Sequence, residues 1–177
     1  MGYHDSQGGY HAFRRTLPLS LNDFRIATAG DVGNIAANGG LFGSDSAPTL
    51  SGAASTFSQR LTWVASSSIA IAAQIALPED FDGREDVLVD LWVASGGTTN
   101  LASFTVTTNW NSAAADITDT ATDPAASTTI HQITARIAAA DIPDNARYVS
   151  IALTPAAHTT DTMLLDNVAV SFVARNT

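Results

Sequence analysis

Five carboxylates crowd one turn of this chain: Glu79, Asp80, Asp82, Glu85 and Asp86 surround Gly83. A hard cation such as Ca²⁺ takes roughly six to eight oxygens, and such a turn offers several. Asp80, Asp82 and Asp86 are therefore the weak calcium candidates. The spacing lacks the distal bidentate Glu of an EF-hand loop. The competing reading is a solvated turn whose charges block misregistered pairing of the strands around it. His158 and Asp161 lie three apart with Thr159 and Thr160 between them. That is two ligands with no third in view, too few for a metal centre. Gly30-Asp31-Val32-Gly33 lacks the Lys-Ser/Thr ending of a phosphate loop. No nucleophile elbow occurs, and no isolated carboxylate pair of the kind that cleaves glycosidic bonds stands on a strand face. The expectation is no catalytic residue, no bound metal and no cofactor.

Stacking chemistry is open to the three tryptophans, Trp63, Trp92 and Trp110. Aromatic side chains on a sandwich face can stack on sugar rings. Trp63 and Trp92 fall inside apolar strand patterns, which predicts core packing. Trp110 ends a strand between Asn109 and Asn111, so it is the candidate carbohydrate-binding residue. Asp166 interrupts one side of the closing strand, where it must be exposed, paired or bound. Arg60 and Arg136 are the expected structural partners.

The elements that would position these residues are strands. Residues 13–21, 57–64, 69–77, 86–94, 101–110, 128–137 and 148–153 alternate or run apolar between turn signals. In the last strand, TMLLDNVAVSFV at 162–173, Leu164, Val168, Val170 and Phe172 are assigned to one side. Val87, Val89, Leu91 and Val93 share a face opposite Leu88, Asp90 and Trp92, which reads as a central strand. Residues 138–144 read as one helical turn stopped by Pro143. Residues 111–127 and the Gly-rich 27–55 read as loops, the latter pinned by Leu41, Phe42 and Leu50. The sum is an all-β chain: an antiparallel jelly-roll β-sandwich of about eight strands, its first and last strands close together. The division is residues 1–14 as a flexible arm and 15–177 as one domain.

Composition narrows the partners. The net charge is −9, all eight basic residues are Arg, and fifteen of the seventeen acids are Asp. Such a balance opposes nucleic-acid phosphates. The longest apolar stretch, residues 69–77, is too short to span a bilayer, and the first thirty residues show no signal-type apolar region. Cysteine is absent, so there is no disulfide framework. Residues 1–25 carry a net +1 (three Arg against two Asp) and the remainder −10 (five Arg against fifteen acids). With Tyr3, His4, Tyr10, His11 and Phe13 among glycines, the first segment reads as an arm. Tyr3, Tyr10, Phe13, Arg14 and Arg15 are its expected partner-binding anchors.

Taken as a whole, the stretches AANGGLFGSDSAPTL at 36–50, RLTWVASSS at 60–68, IALPEDFDGREDVLVDLWVASGGTT at 75–99, ITARIAAADIP at 133–143 and ALTPAAHTTDT at 152–162 resemble a family of jelly-roll virion proteins of tailed bacteriophages. That resemblance implies a capsid decoration, or cement, protein on the head surface of the virion. It would work as a homotrimer clamping the major capsid protein, with no enzymatic activity. The alternative expectation is a carbohydrate-binding sandwich, free or at a phage fibre tip. LLDNVAVSF at 164–172 is similar to the last strand of several carbohydrate-binding jelly rolls.

Overall fold

The protein is described from a computed structural model, which covers residues 13–28, 31–33, 48–52, 58–112 and 116–175. Twelve strands lie in these segments: β1 (Phe13–Leu19), β2 (Arg25–Thr28), β3 (Asp31–Gly33), β4 (Thr49–Gly52), β5 (Gln59–Trp63), β6 (Ala70–Ala76), β7 (Val87–Ser95), β8 (Ser103–Trp110), β9 (Ile117–Thr122), β10 (His131–Ile137), β11 (Tyr148–Pro155) and β12 (Met163–Ala174). Short 3-10 turns at Leu21–Asp23 and Ala139–Asp141 are the helical elements among the described residues. The second sits where one helical turn ahead of Pro143 is expected.

Among the described residues all pairings are antiparallel and make two six-stranded sheets. The front sheet runs β10-β7-β12-β5-β4, with β1 also paired to β12; the back sheet runs β3-β2-β6-β11-β8-β9. This is the expected jelly-roll sandwich. Eight of its strands are the anticipated ones. β2, β3, β4 and β9 are additional; β3, β4 and β9 lie in stretches read as loops, and β2 straddles the start of one. β1 runs in register with the end of β12, from Phe13 opposite Ala174 to Leu19 opposite Val168. The two outermost described strands are therefore neighbours. Pro18, which cannot donate to a ladder, sits in this edge strand as its chemistry requires.

The core fills the space between the sheets because each long strand turns its aliphatic side inward. Val87, Val89, Leu91 and Val93 of β7 are buried, as are Phe104, Val106 and Trp110 of β8 and Val149, Ile151 and Leu153 of β11. Trp63 from the front sheet meets Phe104 from the back sheet edge-on, with ring centroids 5.3 Å apart. β7 is central, between β10 and β12.

β12 departs from the simple alternation. A bulge shifts its register on β7 between Leu165 and Asn167. Leu165, not Leu164, is the residue that shares the buried side with Val168, Val170 and Phe172. The extra residue is Asp166, and a bulge re-aims the side chains beyond it.

Candidate functional site

The acidic turn does not assemble a cation cage. Asp82 is buried and accepts two bonds from the Arg84 guanidinium, at 2.9 and 2.8 Å, and one from the Arg84 backbone N–H at 3.1 Å. The Arg84 side chain, aided by that N–H and by Arg175 at 3.6 Å, pulls the Asp82 carboxyl down to about 2. Asp80 pairs with Arg15 at 2.8 Å. Asp86 takes the Arg136 guanidinium and the Ala139 N–H, which together hold its carboxyl below the ordinary range. Each calcium candidate thus faces its own arginine, and among the described residues no three acidic or imidazole groups converge to hold a metal.

His158 and Asp161 also serve the fold. His158 is 1% exposed, with its ring nitrogens against the carbonyls of Ala156 at 2.6 Å and Val64 at 3.1 Å. Asp161 accepts the backbone N–H groups of Thr99 and Asn100, at 2.7 and 2.8 Å. Asn100 Oδ1 accepts those of Thr160 and Asp161, both at 2.9 Å. This reciprocal clasp ties two loops at one end of the sandwich, and it lowers the Asp161 carboxyl, first through the Asn100 N–H. Gly97 permits the approach: a Cβ there would stand 2.2 Å from Asp161 Oδ1.

Asp166 is paired, as expected, and its partner is Arg60. The guanidinium forks onto both carboxylate oxygens, with Nη2 to Oδ2 at 2.8 Å. The hydrogen bond to Asp166 raises the Arg60 pKa further. The other expected partner, Arg136, goes to Asp86 instead.

The arm residues divide. Tyr3 and Tyr10 lie outside the described residues, as do Gly30, Leu41, Phe42 and Phe57. Phe13, Arg14 and Arg15, placed at the end of the arm by sequence, belong to β1 and are paired with Ala174, Val173 and Phe172. Arg14 Nη1 donates to the carbonyls of Asp86 and Ser171, each at 3.2 Å. Residues 13 and 14 are thus part of the sandwich, because the ladder with β12 runs on to Phe13 opposite Ala174.

Trp63 is in the core as expected, while Trp110 and Trp92 exchange their expected places. Trp110 is 1% exposed and donates its indole N–H to Thr108 Oγ1 at 3.2 Å, so its ring cannot meet a sugar in the folded chain. Its polar neighbours Asn109 and Asn111 misled because successive strand residues face opposite ways. Trp63 is fully buried and donates to Ile69 O at 2.8 Å. Trp92, expected in the core, is half-buried on the outer face of the front sheet. It stands directly opposite Gln132 of β10 and Asn167 of β12, both exposed. One rung across three strands therefore presents amide, indole, amide. Two positions back along β7, on the same face, Asp90 accepts from Thr134 Oγ1 at 2.7 Å and from Ser171 Oγ at 3.3 Å. The signal for this face was Asp90 itself. A carboxylate at alternate spacing from Trp92 marks the uncovered side of a strand whose other side is Val, Val, Leu, Val.

No protein-family model matches the chain, and no curated protein does. Solved structures do share its fold. A xylan-binding module, CBM15, superposes with a TM-score of 0.54 at 14% identity, over 90% of this chain and 97% of that one. A Clostridium thermocellum endo-1,4-β-D-xylanase 10B fragment, its CBM22-1 and GH10 modules complexed with xylohexaose, gives 0.51 at 12% identity over 93% of this chain. Xylanase10C from Cellvibrio japonicus, in complex with xylopentaose, gives 0.51 at 14% over 88%. The chain spans 28% of each of these two enzymes. These findings correct the expectation of a capsid decoration protein. The xylan-binding module shares this jelly-roll architecture, and none of these structures is a virion protein.

Proposed function

We propose that the chain is a carbohydrate-binding sandwich, not an enzyme, and that it holds an extended, uncharged polysaccharide on the outer face of the front sheet. The observation that carries this is Trp92. The other two indole N–H groups are bonded inside the core; that of Trp92 makes no bond among the described residues, and its half-buried ring lies between two side-chain amides. An indole offers a pyranose ring a flat apolar surface and one donor. Gln132 adds a donor and an acceptor for the hydroxyls on one side, and Asn167, whose Oδ1 accepts from the Val168 N–H at 2.9 Å, adds its amide donors on the other. Strands spaced about 4.8 Å apart put the three groups in a row roughly 10 Å long, enough for about two sugar units lying across the strands.

Charge selects among glycans. The whole chain is strongly acidic, which disfavours polyanionic ligands at long range. On and beside this face Arg60 pairs with Asp166 and Arg136 with Asp86, which offsets part of that acidity. The likeness to a xylan-binding module makes β-1,4-xylan the first ligand to try. Calorimetric titration with xylohexaose, alongside neutral and anionic oligosaccharides, tests the reading. Trp92→Ala should weaken binding about tenfold or more with an unchanged melting temperature. Binding that survives this change places the sugar elsewhere.

A further inference from the structure

Asp90 anchors a second row beside Trp92. The row crosses four strands: Thr16 of β1, Ser171 of β12, Asp90 of β7 and Thr134 of β10. Thr16 Oγ1 and Ser171 Oγ are 2.9 Å apart, Ser171 Oγ and Asp90 Oδ2 3.3 Å, and Thr134 Oγ1 and Asp90 Oδ1 2.7 Å. An ionised carboxylate only accepts, so both neighbouring hydroxyls must donate to Asp90. Ser171 has then used its one proton, and Thr16 must donate to Ser171. The direction of the whole row is fixed by one charge. Ser171 is 5% exposed, so its hydroxyl is held in place by packing as well as bonding.

This order leaves a defined vacancy in bonding capacity. Each Asp90 oxygen holds roughly two lone-pair sites and accepts one bond from the described residues. Asp90 is only half-buried, so the remaining sites face solvent. They lie about 7 Å along β7 from Trp92, on the same face. With the chain lying across the strands, Asp90 stands to one side of the sugar stacked on the indole, facing the hydroxyls on that side.

Resting on the glycan-binding reading above, we infer that Asp90 is the specificity-determining residue of this face and that it accepts hydrogen bonds from two adjacent free hydroxyls of the polysaccharide. The ligand class is then a neutral glycan with unsubstituted vicinal diols. A chain O-acylated at those positions has no proton to donate, and its acyl oxygens meet a carboxylate. It is rejected even though its rings could still stack on Trp92.

The experiment is calorimetric titration of the full chain with xylohexaose and with the same oligosaccharide acetylated on its ring hydroxyls. It is run for the wild type, Asp90→Asn and Trp92→Ala, with a thermal melt of each. The wild type should prefer the free oligosaccharide about tenfold or more, as charge-assisted bonds warrant. Asp90→Asn should lose most of that preference, and Trp92→Ala should lose affinity for both. Equal wild-type affinity for the two oligosaccharides overturns the role of Asp90 without needing any variant, so a failure of Asp90→Asn to fold does not protect the idea. Full selectivity in a folded Asp90→Asn does the same, while sensitivity to Trp92→Ala would leave the binding face standing. A wild type that binds neither oligosaccharide overturns the face and the residue together.

Discussion

Trp110 and Trp92 are eighteen positions apart, and what separates them physically is cover. Trp110 packs beside Phe81, with ring centroids 5.9 Å apart, under the β8–β11 ladder. Trp110→Ala should therefore cost about 3–5 kcal/mol in urea unfolding, whereas Trp92→Ala should cost little. The same scale decides the acid behaviour. The Asp82 carboxyl titrates lower in the folded chain, about 2, than the roughly 3.9 of an unfolded aspartate. Folding therefore gains stability above the ordinary carboxylate range and loses it as pH falls through about 4 toward 2. Asp86 and Asp161 shift in the same direction. Asp82→Asn should lower the melting temperature at pH 7 and flatten its decline between about pH 5 and 2; a variant whose acid limb parallels the wild type would remove Asp82 from the account. Because Asp80, Asp82 and Asp86 answer to arginines, EDTA should leave the melting temperature unchanged. A drop on chelation would restore a calcium site.

At the scale of the strand, the long alternating segments were legible because large aliphatics recur every second residue with polar or small residues between them. β9 was not. Its sequence ITDTAT shows three exposed threonines and turns only Ile117, Asp119 and Ala121 the other way, so neither side contrasts with the other. β2, β3 and β4 are three or four residues each, in or beside a Gly-rich stretch, too short for a period to appear. The bulge in β12 was hidden for a related reason: one extra residue changes the phase, and no composition marks it. Trp92 was misplaced because β7 carries large apolar groups on both sides, and only Asp90 distinguishes them. The Arg60–Asp166 fork bridges β5 and this bulge, so it holds the phase of β12. Arg60→Ala and Asp166→Ala should each destabilise by about 1 kcal/mol, and the double variant should cost less than their sum. Full additivity in that cycle would mean the pair does not interact. At the clasp, Gly97→Ala should lower the melting temperature, since the new methyl group displaces Asp161 from the Thr99 and Asn100 N–H groups.

For the whole molecule, β1 carries more than its edge position suggests. It buries Leu19, packs Leu17 on the core and covers the outer edge of β12 from Val168 to Ala174. Deleting residues 1–19 should therefore lower the melting temperature by about 10 °C or more, or send the chain into aggregates through the bared strand edge. A truncated chain that melts with the full one would make β1 dispensable. The same ladder sets how the sandwich answers tension. Phe13 lies opposite Ala174, so a pull applied through both residues loads the rungs one after another, as a zipper opens, and never all at once in shear. Stretched between its two ends, the domain should yield at low force by peeling β1 away. Tethered through the Ala174 side alone, it should keep β1 seated while a load is drawn across its front sheet.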